Sequence, residues 1–182
     1  VTLAARARDN QNSLGLPRFQ HRQQYEHTAI WDILDAVKDP EIPVVSIWDL
    51  GILRDVTFEN DQYTITITPT YSGCPAMDTI KADVGEALAA KGYDNITVAL
   101  TLAPAWTTAA ISPTGRQQLL DYGIAPPENN VRGCPLTPET GIRCPRCGSK
   151  QSERISEFGS TACKALFKCA ACLEPFDYFK PL

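Results

Sequence analysis

The sequence predicts an α+β fold: a small three-stranded sheet with helices packed on it, followed by a separate cysteine-rich module at the C-terminus. Two observations carry this. Between residues 28 and 123 the spacing of apolar side chains switches between helical and alternating periods in the order helix, strand, strand, helix, strand, helix. Beyond residue 143, four cysteines fall in two Cys-x-x-Cys pairs, a spacing that chelates a metal more readily than it cross-links the chain.

The first helix is expected from Thr28, a suitable N-cap, to Lys38, because Ile30, Ile33, Leu34 and Val37 share one face. Asp39-Pro40 ends it, since the residue before proline is pushed out of the helical region. After a loop to Gly51, Ile52–Phe58 reads as a strand and Asn60-Asp61 as a turn. In the second strand Tyr63, Ile65 and Ile67 alternate with three threonines. Pro75 suits the first turn of a helix running to about Lys91, with Met77, Ile80, Val84, Ala87 and Leu88 as its apolar stripe and Gly92 as its C-terminal cap. Ile96, Val98, Leu100 and Leu102 give a third strand, and Ser112-Pro113 opens a last helix ending at Tyr122-Gly123. The expected organisation is a flexible arm over residues 1–24, the α+β domain over 25–124, a proline-rich linker over 125–143 and the cysteine-rich module over 144–182.

Charge is distributed unevenly along the chain. Residues 1–24 carry a net +3, residues 25–138 hold 6 basic against 15 acidic residues for a net −9, and residues 139–182 carry +2. An acidic main domain repels phosphate, which argues against nucleic acid as a partner. No segment reaches the roughly 20 apolar residues of a membrane span, and residues 1–24 lack a secretory apolar stretch. The chain starts with Val1 and has Met77 as its one methionine, which suggests a processed N-terminus; the expected location is the cytoplasm.

Cys144, Cys147, Cys169 and Cys172 are the expected metal ligands. Each Cys-x-x-Cys can turn two thiolates toward one ion, Gly148 allows the backbone such a turn needs, and 21 residues between the pairs leave room for strands. Four sulfurs complete a tetrahedral shell with no open position, so the ion is structural: zinc, with iron as its competitor. A module of about 40 residues has too small a core to fold without such a staple. Cys163 is either a small buried apolar residue or a ligand for a second metal or transient cluster, and Cys134 is incidental. Trp106 is a core or rim aromatic, or else part of a docking surface.

Cys74 is the single thiol of the main domain, and it lies at a predicted helix start where amide groups favour a thiolate. It can be a packing residue, a nucleophile or a soft-metal ligand. The only histidines, His21 and His27, lie in or beside the arm, so a nucleophile lacks a well-placed base. One thiolate cannot hold an iron–sulfur cluster alone. The remaining ligands would come from a second copy of the chain in a homodimer, a partner, a small thiol, or the nearby Asp39, Glu41 and Asp49.

The segments Asp39-Pro-Glu-Ile-Pro43, Asp49-Leu-Gly51 and Thr70-Tyr-Ser-Gly-Cys-Pro75 resemble the metal–sulfur cluster assembly domain of iron–sulfur maturation factors. With Pro104-Ala-Trp-Thr-Thr108, Tyr122-Gly-Ile124, Ser156–Leu166, Glu174–Lys180 and the four paired cysteines, residues 25–182 resemble the phenylacetate-degradation protein D family, the D component of the phenylacetyl-CoA epoxidase. The resemblance implies an iron–sulfur cluster assembly domain followed by a zinc ribbon. It also implies a transient iron or iron–sulfur cluster at Cys74, with Asp39 and Asp49 in support. Relatives commonly have an acidic residue where this chain has Ala103. Many end in a further cysteine where this chain has Pro181-Leu182, which weighs against any extra metal ligand set involving Cys163.

The implied role is that of a non-enzymatic accessory factor, with no catalytic residue. It would assemble or mature a metal centre of the phenylacetyl-CoA ring-1,2-epoxidase system in aerobic phenylacetate catabolism. The implied partners are the oxygenase and its iron–sulfur reductase. The alternative is a scaffold that docks those components without cluster transfer; a nucleic-acid-binding regulator is the third reading.

Overall fold

The computed structural model describes residues 27–127 and 140–181. The expected arm with His21, and most of the expected linker with Cys134, lie outside the described residues.

Helix α1 spans Thr28–Asp35 and buries Ile30, Trp31 and Leu34. It is shorter than its apolar period suggests. His27, in the left-handed region at φ 62°, occupies the cap position expected of Thr28. Beyond Ala36 the chain turns outward because the loop folds back on it: Ile47 N–H donates to Val37 O (3.0 Å) and Asp39 N–H to Val45 O (3.0 Å). The loop over residues 39–51 is itself core. Ile42, Val45, Ile47 and Leu50 are buried in it, and such burial is tolerated because its backbone groups find partners within the fold.

Strands β1 (Leu53–Glu59) and β2 (Gln62–Ile67) form a hairpin. Its turn residues Asn60 and Asp61 both take positive φ, 50° and 61°, the conformation that matches the twist of a two-residue hairpin. Helix α2 (Ala76–Ala89) then crosses over and returns the chain as β3 (Ile96–Leu100), parallel to β2, so the sheet order is β1-β2-β3. The α2 stripe lands on the core through Met77, Ile80, Val84 and Leu88. The third strand departs from its alternation: it stops at Leu100, and Leu100 and Leu102 are 47% and 61% exposed at the sheet edge.

After a 3₁₀ turn at Thr108–Ala110, helix α3 (Pro113–Tyr122) starts where Ser112 caps Gly115 N–H (2.8 Å) and ends at Gly123, φ 93°. At the next residue the chain changes sheets. Strand β4 (Ile124–Ala125) pairs in parallel with β7 (Pro175–Phe179), which continues through β6 (Lys164–Cys169) to β5 (Ser152–Ser156). Two buried residues without a period cannot be told from loop by sequence, so β4 is an element the sequence does not predict.

The two sheets also share a core. Phe179 of β7 and Cys163, just before β6, pack into the cluster formed by α1, the 39–51 loop, the first sheet and α2. Trp106, 4% exposed, closes this seam, donating its indole N–H to Leu50 O at 2.9 Å. It is a core residue rather than a docking surface.

Candidate metal-binding sites

The four paired cysteines come together at one end of the β5-β6-β7 sheet. In the first knuckle Gly148, at φ 75°, donates its N–H to Cys144 O (2.9 Å) while Cys144 N–H reaches Ser149 O (2.8 Å). In the second, Leu173, at φ 67°, donates its N–H to Cys169 O (2.9 Å), and Cys169 N–H reaches Glu174 O (3.0 Å). Arg146 of one knuckle pairs with Glu174 of the other at 2.7 Å.

All four Sγ atoms lie within 4.8 Å of one another. Across the knuckles, Cys144 and Cys172 approach to 3.7 Å and Cys147 and Cys169 to 3.5 Å. A tetrahedron of sulfurs at ordinary zinc–sulfur distance has an edge of about 3.8 Å, so the residues fit the ion. The charge pattern agrees. Amide N–H groups, first that of Cys172, bring the Cys169 pKa down to about 7. At Cys172 the Glu174 N–H pulls the same way, but desolvation and the neighbouring sulfurs carry the thiol up to about 12. Sulfurs so close cannot all ionise by themselves, and a cation supplies the missing charge. With four protein ligands no position is left for a substrate.

A second constellation forms at the seam. Cys74 sits on the loop leading into α2, half-buried, and its N–H donates to Tyr71 O (3.3 Å). Burial pushes the Cys74 thiol above its ordinary range; the Ala76 N–H pulls it down, Glu41 and Asp39 push it further up, and the Tyr71 hydroxyl opposes them. The amides at the helix start therefore act as expected on the thiolate, but desolvation and two carboxylates outweigh them. Asp39 is buried and accepts from the N–H groups of Glu41 (2.9 Å) and Ile42 (2.8 Å), holding the Asp39–Ile42 turn. Desolvation raises its carboxyl, against those two bonds and the Lys164 charge. Asp49 is engaged elsewhere: Ser112 and Ser46 (3.2 Å) hydroxyls donate to its carboxylate, which braces the start of α3 against the loop.

Local sequence points to Cys74, Asp39, Glu41 and Asp49, but Tyr71 and Lys164 emerge only from the fold. Tyr71 lies inside the Thr70–Pro75 segment that draws attention to Cys74, so its place in the motif is a usable signal. Lys164 belongs to β6, far along the chain from Tyr71, and no local pattern marks it.

Two family models match the chain. An iron–sulfur cluster assembly protein model covers residues 27–104, and a PaaD zinc beta ribbon domain model covers residues 129–180. The chain is 50% identical over 151 residues to the D component of the 1,2-phenylacetyl-CoA epoxidase of Escherichia coli (strain K12), an alignment spanning 83% of this chain and 90% of that one. The chain belongs to the phenylacetate-degradation protein D family. It is also similar to the Fe-S protein maturation auxiliary factor of Porphyromonas gingivalis (strain ATCC BAA-308 / W83), 36% identical over 94 residues, covering 50% of this chain and 86% of that one. Among solved structures, a domain of unknown function from Bacillus anthracis is 34% identical, covering 50% of this chain and 88% of that one with a TM-score of 0.46. This protein D family member thus joins an assembly-type domain to a zinc ribbon, as its motifs imply. No helix among the described residues is long and apolar enough to cross a membrane.

Proposed function

We propose that this protein is a non-enzymatic accessory factor that assembles or delivers an iron–sulfur centre for the phenylacetyl-CoA ring-1,2-epoxidase system, with Cys74 as the transfer thiol. The observation that carries the reading is the state of Cys74. It is half-buried at the start of α2, within the electrostatic reach of Glu41 and Asp39, yet it lacks the closed four-sulfur shell of the ribbon. A complete shell retains its ion, whereas an incomplete one can pass it on. Asp39 acts by holding the turn beside the thiol, and Asp49 acts at one remove by bracing the loop that carries that turn.

The test is anaerobic transfer. Cluster-loaded protein mixed with the apo-form of the iron–sulfur reductase is expected to restore reductase activity faster than free iron and sulfide, and Cys74→Ala is expected to abolish the advantage. Equal rates with and without Cys74 would overturn the reading. The scaffold reading has its own support in Ile155, Phe158 and Leu173, apolar side chains exposed on the ribbon. A stable complex with the oxygenase that forms equally well with Cys74→Ala, without any transfer, would favour it.

A further inference from the structure

An open groove of about 600 Å³ runs between α2 and the segment that leaves α1. Its lining is largely apolar, with Pro40 and Pro43 from the loop and Ala87 and Ala90 from the second half of α2. Pro40, Pro43 and Ala90 are exposed, so solvent meets an apolar surface there. Asp83 and Glu86 also line the groove, three residues apart on one face of α2. Neither carboxylate has an ion pair or a side-chain hydrogen bond among the described residues. Lys38 is the one cation in the lining among those residues.

The rest of the chain supplies the matching chemistry. Residues 1–24 carry a net +3 against −9 for residues 25–138, so the two attract. The described chain begins at His27, the cap of α1, and the groove opens at Ala36, just past the other end of that helix. The 8 residues of α1 span about 12 Å, which about four extended residues cover. Arg22 and Arg18 precede His27 by 5 and 9 residues, with Phe19 between them, so both arginines have the reach.

We propose that residues 1–24 fold back along α1 and dock in this groove of the same chain, with Arg18 and Arg22 meeting Asp83 and Glu86 and Phe19 covering the prolines and alanines. Exposed ion pairs are individually weak. Here they add to apolar contact, and the tether holds the arm at high effective concentration. The arm is then a built-in competitor, which a partner must displace to reach the 39–43 turn. This interaction is independent of cluster transfer at Cys74.

The experiment uses the full chain with its ribbon zinc in place. Chymotrypsin cleavage after Phe19 is followed by mass spectrometry and compared with cleavage of a free synthetic peptide of residues 1–26. Cleavage tracks the undocked fraction, and at low ionic strength the full chain is expected to be cut at least about tenfold more slowly than the peptide. Protection should fall as salt is raised. Asp83→Lys with Glu86→Lys should remove most of it, and adding Arg18→Glu with Arg22→Glu should restore it, measured against a peptide with the same substitutions. Retained zinc and an unchanged circular dichroism spectrum qualify each variant as folded. Peptide-like cleavage of the parent chain overturns the proposal without any variant. So does protection that survives the reversal of Asp83 and Glu86, which places the arm elsewhere, or a double reversal that restores nothing. Protection that grows with protein concentration overturns it too, because the arm then occupies a second copy.

Discussion

The indole ring of Trp106 lies 5.9 Å, centroid to centroid, from the ring of Phe179, so a tryptophan beyond the third strand and a phenylalanine of the last one close a common core. The two modules are thereby coupled through packing as well as through the chain between them.

Trp106→Ala should cost about 3–5 kcal/mol, the usual penalty for removing a buried aromatic. Trp106→Phe preserves part of the packing but leaves Leu50 O without its donor, which should cost about 1–3 kcal/mol. Urea unfolding measures both. An alanine variant within about 1 kcal/mol of the parent would contradict a shared core.

Zinc removal by a chelator should loosen more than the ribbon. Its small core depends on the four-sulfur centre, and Cys163 and Phe179 are carried into the main-domain core by the same strands. Thermal melts followed by tryptophan fluorescence should shift downward on chelation and recover when zinc is returned. An unchanged melt would show that the main domain stands independently of the ribbon.

Asp39→Asn should stabilise the protein at neutral pH. A carboxyl whose native pKa is raised above its unfolded value adds stability that is fully present below the unfolded value, 3.8, and is lost as pH rises through the native one. Asparagine keeps an oxygen for the Glu41 and Ile42 N–H groups without the buried charge. The melting temperature of the variant should exceed that of the parent near neutral pH, and the gap should close toward about pH 4. A constant gap would mean that charge is not its cause.

Gly51→Ala should be strongly destabilising. Gly51 has φ 73°, and a Cβ there would lie 2.5 Å from Ala110 Cβ and 2.7 Å from Ala110 O. Backbone strain of about 1–3 kcal/mol adds to the clash, and a loss of at least that size is expected by urea unfolding. Retention of parental stability would mean that the loop and the 3₁₀ turn can separate freely.

Alkylation of Cys74 should be slow at neutral pH and accelerate only above the ordinary thiol range, because burial and the two carboxylates disfavour its thiolate. Glu41→Gln removes one of those charges and should move the pH profile of alkylation, followed by mass spectrometry, to lower pH. An unmoved profile would separate Glu41 from the thiol.

Much of the fold is legible in the chain because it rests on local periods. The stripe Met77-Ile80-Val84-Leu88, the alternation around Ile65 and Ile67, and the Ser112 and Gly123 caps all act within a few residues. The departures come from longer-range competition. Helix α1 ends early because Val37 and Asp39 bond the returning loop, and β4 exists only because β7 offers it a partner.

The sequence by itself determined the four-cysteine centre, since two Cys-x-x-Cys turns bring pairs of sulfurs together through local geometry and the ion completes the shell. It also singled out Cys74 through its neighbours in the chain. Only the tertiary structure decided that Cys163 packs into the same core as Cys74, that Asp49 is a brace and that Trp106 lies inside. Those outcomes depend on which surfaces pack when the ribbon docks, and packing between distant segments leaves no period in the chain.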